Sequence, residues 1–154
     1  LKALPDQDIR AMAVYLGSFN EGAPDKQAAD ALAARLEAAT LSVTAASSGA
    51  RIYQGACAVC HEVGGPALFG SRPSLSLNSN VHSDAPDNLI QVIRHGIAAP
   101  VSPDLGYMPA FKDSLSDRQL AELVGYIRRQ FAPGRPAWDG IDAAIARLKS
   151  ASVH

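Results

Sequence analysis

The sequence predicts an all-α protein, and three observations support this prediction. A capping-box pattern at Ser116–Gln119 precedes apolar residues at helical spacing, namely Leu120, Leu123, Val124, Ile127 and Phe131. A second helix is predicted from Pro86 to His95, because proline favours the start of a helix and Gly96 is a typical stop. No run of alternating β-branched residues indicates a strand.

Weaker patterns predict the remaining elements. One helix is expected from Ser47 to Cys57, and an alanine-rich one from Ala28 to Ala39, whose narrow apolar stripe suits a surface. The segment between Gly64 and Ala85, rich in Gly, Pro, Ser and Asn, is predicted to be an irregular loop. After Pro133 a last helix is expected. Its apolar residues share one face: Trp138, Ile141, Ile145 and Leu148. This face either packs back onto the domain, which we favour, or docks a partner.

Composition excludes several classes of function. The 154 residues suit one ordinary domain, or a small domain with extensions, and the net charge of −1 gives no reason to expect nucleic acid or an anionic membrane surface as a partner. No stretch approaches the length of a membrane span. Aromatic residues make up only 6%, so a large planar cofactor would help to supply the core.

The most specific motif is Cys57-Ala58-Val59-Cys60-His61, a C-x-x-C-H pattern that uses both cysteines of the chain. This pattern attaches a c-type haem: each thiol bonds to one vinyl group, and the histidine becomes an axial ligand of the iron. A zinc site would need a second pair of ligands, which is missing. A thioredoxin-like redox pair would need a βαβ context.

The second axial ligand is predicted to be Met108. The chain has two methionines, and Met108 lies beside Pro109 in a loop that the proline stiffens. His82 and His95 are weaker alternatives. Candidates for propionate donors are Arg72, Arg94 and Tyr107, and those for an apolar pocket are Leu68, Phe69, Leu75, Leu77, Ile93, Ile97 and Phe111.

An internal repeat indicates a tandem arrangement. The segment from Leu4 to Leu16 resembles that from Leu115 to Ile127, with an offset of 111 residues. Two unrelated amphipathic helices with a similar stripe would be the alternative. We interpret residues 1–19 as the last helix of a truncated preceding domain, 20–46 as a partly helical linker, 47–131 as the main domain and 132–154 as a C-terminal extension with a short helix.

Residues 47–131 resemble a class I cytochrome c. Gly49 and Tyr53 precede the C-x-x-C-H motif at the family's spacing, and Leu123 and Tyr126 fall where its last helix crosses the first. The resemblance implies an all-helical fold, with a few helices and long loops around one haem with His61 and Met108 as axial ligands. It also implies that a proline carbonyl accepts the histidine ring N–H; Pro73 has the family's spacing, and Pro66 competes.

A closer resemblance extends to the Tyr107–Phe111 loop and the tail Phe131–Trp138. These are similar to the C-terminal cytochrome domain of multihaem subunits of alcohol dehydrogenases or molybdenum hydroxylases. The implied partners are a dehydrogenase catalytic subunit, adjacent cytochrome domains and a downstream acceptor, which is an oxidase, a quinone or a soluble cytochrome. This chain departs from the pattern by carrying one haem motif, which suits a fragment.

The expected function is outer-sphere electron transfer, not catalysis, because a haem with both axial positions filled leaves no place for substrate. The alternative is a haem enzyme or ligand sensor, such as a peroxidase, with a sixth position that opens. Covalent haem attachment implies export, so a periplasmic location is expected, and the absence of a signal peptide suggests a processed or excised fragment.

Overall fold

A computed structural model describes residues 4–19, 25–38, 47–62, 74–98 and 107–151 of the chain. Within these ranges there are eight α-helices and a 3-10 turn at Leu75–Leu77, and no strand. The predicted all-α class is therefore confirmed. The helices are α1 (Asp6–Ser18), α2 (Lys26–Ala38), α3 (Ser48–Ala56), α4 (Ala58–His61), α5 (Ser79–His82), α6 (Asp87–His95), α7 (Asp117–Phe131) and α8 (Ile141–Ala151).

The chain divides into two compact units, Leu1–Ala33 and Ala34–His154. In the first unit, α1 buries none of its residues, and its apolar side chains are exposed. The rings of Tyr15 and Phe19 meet edge to face with centroids 5.0 Å apart. Helix α2 begins after Asp25, whose carboxylate accepts a hydrogen bond from the Ala28 amide at 2.7 Å.

The second unit is organised by the close crossing of α3 and α7. Gly49 makes this crossing possible, because a Cβ atom there would lie 2.2 Å from the carbonyl oxygen of Glu122 and 2.8 Å from the Cβ of Tyr126. Next to it, the Tyr53 ring lies 5.4 Å from that of Tyr126 and 5.3 Å from that of Phe131. The crossing implied by the cytochrome resemblance is therefore confirmed.

Helix α7 begins as its sequence predicts. The Ser116 hydroxyl accepts from the Gln119 amide at 3.3 Å, and the Gln119 side chain accepts from the Ser116 amide at 2.9 Å, which completes the capping box. All five apolar residues of the predicted stripe are buried. This helix is therefore the central element of the hydrophobic core.

Helix α6 and the segment before it differ in detail from the prediction. Pro86 is the N-cap, so α6 starts one residue later than predicted, and it ends at His95 as predicted, with Gly96 as the C-cap at a φ of +69°. The described part of the predicted irregular loop is not wholly irregular: it contains the 3-10 turn and α5, which the Asn78 side chain caps by accepting from the Asn80 amide at 2.9 Å. Short turns of this kind lack a periodic apolar pattern, so composition alone indicates a loop.

Helix α8 packs back onto α6 and α7. Its apolar face is buried through Ala144, Ile145 and Leu148, and Trp138 is buried just before the helix begins. Two ion pairs add to this contact: Arg147 lies 2.6 Å from Asp87, and Lys149 lies 2.8 Å from Asp117. The apolar face of the extension is thus covered within the second unit.

Candidate functional site

One cavity of about 260 Å³ brings together the residues that the sequence singled out. Cys57, Cys60 and His61 line it from the α3–α4 side, and Met108 lines it from the loop before α7. Most of the remaining wall is apolar and comes from the 3-10 turn, α6, α7 and the loop residues between α6 and α7: Leu75, Leu89, Ile93, Ile97, Phe111 and Ile127. Two thiols, an imidazole and a thioether therefore share one apolar chamber.

The junction of α3 and α4 positions the two cysteines. Cys57 ends α3 and precedes α4, and its carbonyl accepts from the amides of Cys60 and His61, both at 3.1 Å. Residues three apart in a helical turn share a face, so this turn directs both thiols into the same chamber. Neither cysteine forms a disulfide; Cys57 is buried and Cys60 is half-buried.

The surroundings of Cys57 disfavour its thiolate. Burial, with a smaller contribution from the charge of Cys60, raises the pKa of the Cys57 thiol to about 11. The thiol is therefore protonated at neutral pH in the protein chain alone. This electrostatic setting is that of an apolar binding chamber and not of a cysteine activated as a nucleophile.

A backbone bracket holds Met108. Met108 and Ile97 exchange two hydrogen bonds of 2.9 and 3.1 Å in an isolated antiparallel bridge, and the Phe111 amide donates to the Ile93 carbonyl at 3.0 Å. Gly96 permits this approach, because a Cβ atom there would lie 2.3 Å from the Met108 carbonyl oxygen. We call Gly96, Ile97 and Met108 the methionine bracket. In this bracket, hydrogen bonds at both the amide and the carbonyl group of Met108 hold that residue next to the chamber.

The predicted apolar pocket is correct in part. Leu75, Ile93, Ile97 and Phe111 line the chamber, but Leu77 does not and is 46% exposed. Its position in the 3-10 turn, two residues after Leu75, turns it outward. Leu68 and Phe69 lie outside the described residues. Sequence reasoning missed Leu89, Val92 and Ile127 as wall residues, although the helical stripe of α6 and α7 carried the signal.

The three predicted propionate donors differ in their position relative to the chamber. Tyr107 lines the chamber, Arg94 is not among its wall residues, and Arg72 lies outside the described residues. Asn78 and Asn80 supply polar groups that were not predicted. Both prolines proposed as acceptors for the His61 ring, Pro73 and Pro66, also lie outside the described residues, so that assignment stays a prediction.

The alternative histidine ligands lie elsewhere. The His82 ring Nε2 lies 2.7 Å from the Ser76 carbonyl oxygen, and its N–H donates to that oxygen. His95 is exposed at the end of α6. Neither residue is part of the chamber wall described by the structure, whereas Met108 is.

Comparison with known proteins identifies the family. Residues 44–127, more than half of the chain, match the family described as cytochrome C oxidase, cbb3-type, subunit III. The chain belongs to this family of c-type cytochromes. Such proteins carry covalently bound haem c and transfer electrons, and this cytochrome does the same.

Named relatives extend over more of the chain. A nicotinate dehydrogenase subunit of Pseudomonas putida is 50% identical over 151 residues, which are 97% of this chain and 12% of that protein. The cytochrome c subunit of a quinone-dependent alcohol dehydrogenase of Gluconacetobacter polyoxogenes is 34% identical, over 84% of this chain and 29% of that subunit. A cytochrome c6 of Parathermosynechococcus lividus is 28% identical over 61% of this chain and 97% of its own length. The chain thus spans less than a third of either dehydrogenase subunit.

The chamber fits a covalently bound haem. Its donors are the ones that haem c attachment and ligation use: two thiols three residues apart, an adjacent imidazole and a thioether. Its wall is mostly apolar, as a porphyrin requires. Among the described segments of this cytochrome, no helix combines the length and apolar character needed to cross a membrane.

Proposed function

We propose that this cytochrome carries a single haem c, bound through thioethers to Cys57 and Cys60 and ligated by His61 and Met108, and that it transfers electrons without binding a substrate at the iron. The observation that supports this most directly is the shared chamber, which has the C-x-x-C-H turn and Met108 in its wall. The Met108 backbone is bonded to Ile97, so the thioether sits on a braced segment.

The chain's residues would tune how readily the haem accepts an electron. The haem supplies the redox couple, because its iron alternates between ferric and ferrous states. A methionine ligand raises the reduction potential relative to a second strong donor. An apolar wall acts in the same direction, because a low dielectric disfavours the extra positive charge of the ferric form. Pro73, or Pro66 in its place, would orient His61 by accepting its ring N–H.

We further propose that residues 1–19 are the last helix of a preceding cytochrome domain, followed by a linker at 20–46, the haem domain at 47–131 and the extension at 132–154. The support is a contrast in burial between positions 111 residues apart. Leu120, Leu123 and Ile127 of α7 are at most 4% exposed, whereas their counterparts in α1 are 37–59% exposed: Ile9, Met12 and Leu16. Helix α1 thus carries the apolar face of a core helix, but within the described residues that face is exposed.

In this arrangement the cytochrome would receive electrons from a dehydrogenase subunit or a neighbouring haem domain. It would deliver them to the respiratory chain through an oxidase, a quinone or a soluble cytochrome in the periplasm. The dehydrogenase relatives, which are subunits of nicotinate and alcohol dehydrogenases, support this route by their names.

Amide hydrogen exchange on the full-length protein tests the role of α1. If α1 closes a preceding domain, the amides of residues 6–18 should be protected nearly as strongly as those of α7. An isolated helix of 13 residues is only marginally stable in water, so an undocked α1 should exchange close to the rate of an unfolded chain. Unprotected α1 amides would contradict the tandem arrangement and leave the haem proposal intact.

The absorption spectrum of the ferric protein tests the axial ligands. We expect the weak far-red charge-transfer band of thioether-to-iron ligation, and we expect it to disappear in Met108→Ala with a lower reduction potential. Met12→Ala is the matched control, since Met12 is the only other methionine and lies in α1. Its spectrum should equal that of the wild type. A wild-type protein with no band and a water-ligated high-spin spectrum would contradict the carrier proposal and favour a haem enzyme or sensor.

A further inference from the structure

Arg128, in the last turn of α7, is a buried cation that reaches across to another segment. Its side chain is among the most buried in the second unit, with 2% of the residue exposed. Nη1 donates to the carbonyl oxygens of Val81 at 2.5 Å and Ser83 at 3.1 Å, and Nε donates to that of Pro136 at 2.9 Å. One guanidinium therefore ties the residues around the end of α5 to the C-terminal extension.

Two residues of the extension reinforce this tie. The Trp138 ring stacks on Arg128, with the guanidinium carbon 4.3 Å from the ring centroid, and its Nε1 donates to the Ser83 carbonyl at 3.0 Å. Arg135 donates to the His82 carbonyl through Nη2 at 2.6 Å and Nε at 3.0 Å. We call Arg128, Arg135 and Trp138 the clasp. Three consecutive carbonyl groups, those of residues 81–83, accept from it.

The segment held by the clasp forms part of the chamber wall. Leu75, Asn78 and Asn80 line the chamber, and all three lie on the 3-10 turn or at α5. The segment has only short helical turns of its own. Its backbone bonds outside those turns run from the amides of Leu77, Asn78 and Val81 to the carbonyls of Ser74, Leu75 and Asn78, at 3.3, 3.2 and 3.0 Å, and the His82 ring adds one bond to the Ser76 carbonyl. Turns this short depend on outside contacts for their position.

We propose that the clasp is a positioning device for the haem: it holds the 74–83 wall against the cofactor and so keeps water from that side of the chamber. The inference rests on the proposed haem site. Arg128 belongs to α7, the last helix of the haem domain, whereas Arg135 and Trp138 lie in the C-terminal extension, beyond the residues that match the cytochrome family. The extension thereby acts on the redox centre without lining it.

The test measures hydrogen exchange and the reduction potential of the haem-loaded protein. Arg128→Lys keeps the charge but loses the planar fork, and Trp138→Phe keeps a ring but loses the Nε1 donor. In both variants we expect amides of residues 75–83 to exchange about tenfold faster, because charge-assisted and buried hydrogen bonds are lost. The reduction potential should fall, since a wall that opens more often admits water to the haem. Arg147→Ala is the control: it breaks an ion pair between α8 and α6 and leaves the clasp untouched, so both quantities should match the wild type.

A purely structural clasp gives a different result. It would lower the melting temperature of both variants while the reduction potential stays at the wild-type value, and that outcome overturns the proposal. Unchanged exchange at residues 75–83 overturns it as well. Failure of the haem proposal is recognisable separately, because the wild-type protein itself would then lack the far-red band.

Discussion

Gly49→Ala is expected to destabilise the haem domain by about 3 kcal/mol or more, because the added methyl group would overlap backbone atoms of α7. Its Cβ would lie 2.2 Å from the Glu122 carbonyl oxygen, and this oxygen is part of a helix that cannot yield locally. The two helices would have to separate, which would loosen the packing of Tyr53 against Tyr126 and Phe131. The measurement is the free energy of unfolding of the haem-loaded protein in urea, monitored by circular dichroism.

The matched control for this experiment lies in the same helix. Gly55 also belongs to α3, but a Cβ atom there would meet nothing within 4 Å. Gly55→Ala should therefore show only the better helix propensity of alanine and stabilise the protein by about 0.5–1 kcal/mol. If the two variants unfold at the same urea concentration, the close crossing of α3 and α7 is not a main source of stability.

The elements with periodic patterns are the ones that the sequence predicts well. The capping box and apolar stripe of α7 and the glycine stop of α6 are local signals, and the structure bears them out within one residue. The chamber follows from them, because α3, α6 and α7 bring the C-x-x-C-H turn and the apolar residues to one place. Local rules suffice wherever the relevant contacts lie within one element.

The features that escaped prediction depend on contacts between distant residues. Arg128 in the last turn of an amphipathic helix resembles an ordinary solvent-facing cation near the negative end of the helix dipole. Its burial depends on residues distant in sequence, since its side chain meets the carbonyls of Val81 and Ser83 and the ring of Trp138. The bridge between Ile97 and Met108 joins two residues separated by a segment without hydrophobic periodicity, so no sequence pattern predicts it.

Gly96→Ala is expected to disturb the haem by displacing Met108, although the substitution replaces no side chain that lines the chamber. Gly96 has φ of +69°, and a Cβ atom there would lie 2.3 Å from the Met108 carbonyl oxygen and 2.8 Å from the Ala110 amide nitrogen. The methyl group would force the methionine bracket apart, so the Met108 thioether would leave its place beside the chamber. We expect the far-red band to weaken or vanish, and the reduction potential to fall by a sizeable part of the roughly 0.8 V range that axial ligands span.

Gly140→Ala separates this effect from backbone strain. Gly140 also has a positive φ, +68°, but a Cβ atom there would meet nothing within 4 Å. Both alanine variants place a side chain at positive φ, which costs roughly 1–3 kcal/mol, and only Gly96→Ala also displaces Met108. Both proteins should therefore lose stability from strain, but the Gly140→Ala spectrum should keep the band. If Gly96→Ala also keeps the band and the wild-type potential, the position of Met108 does not depend on the bracket, and the thioether must be held by contacts of its own side chain.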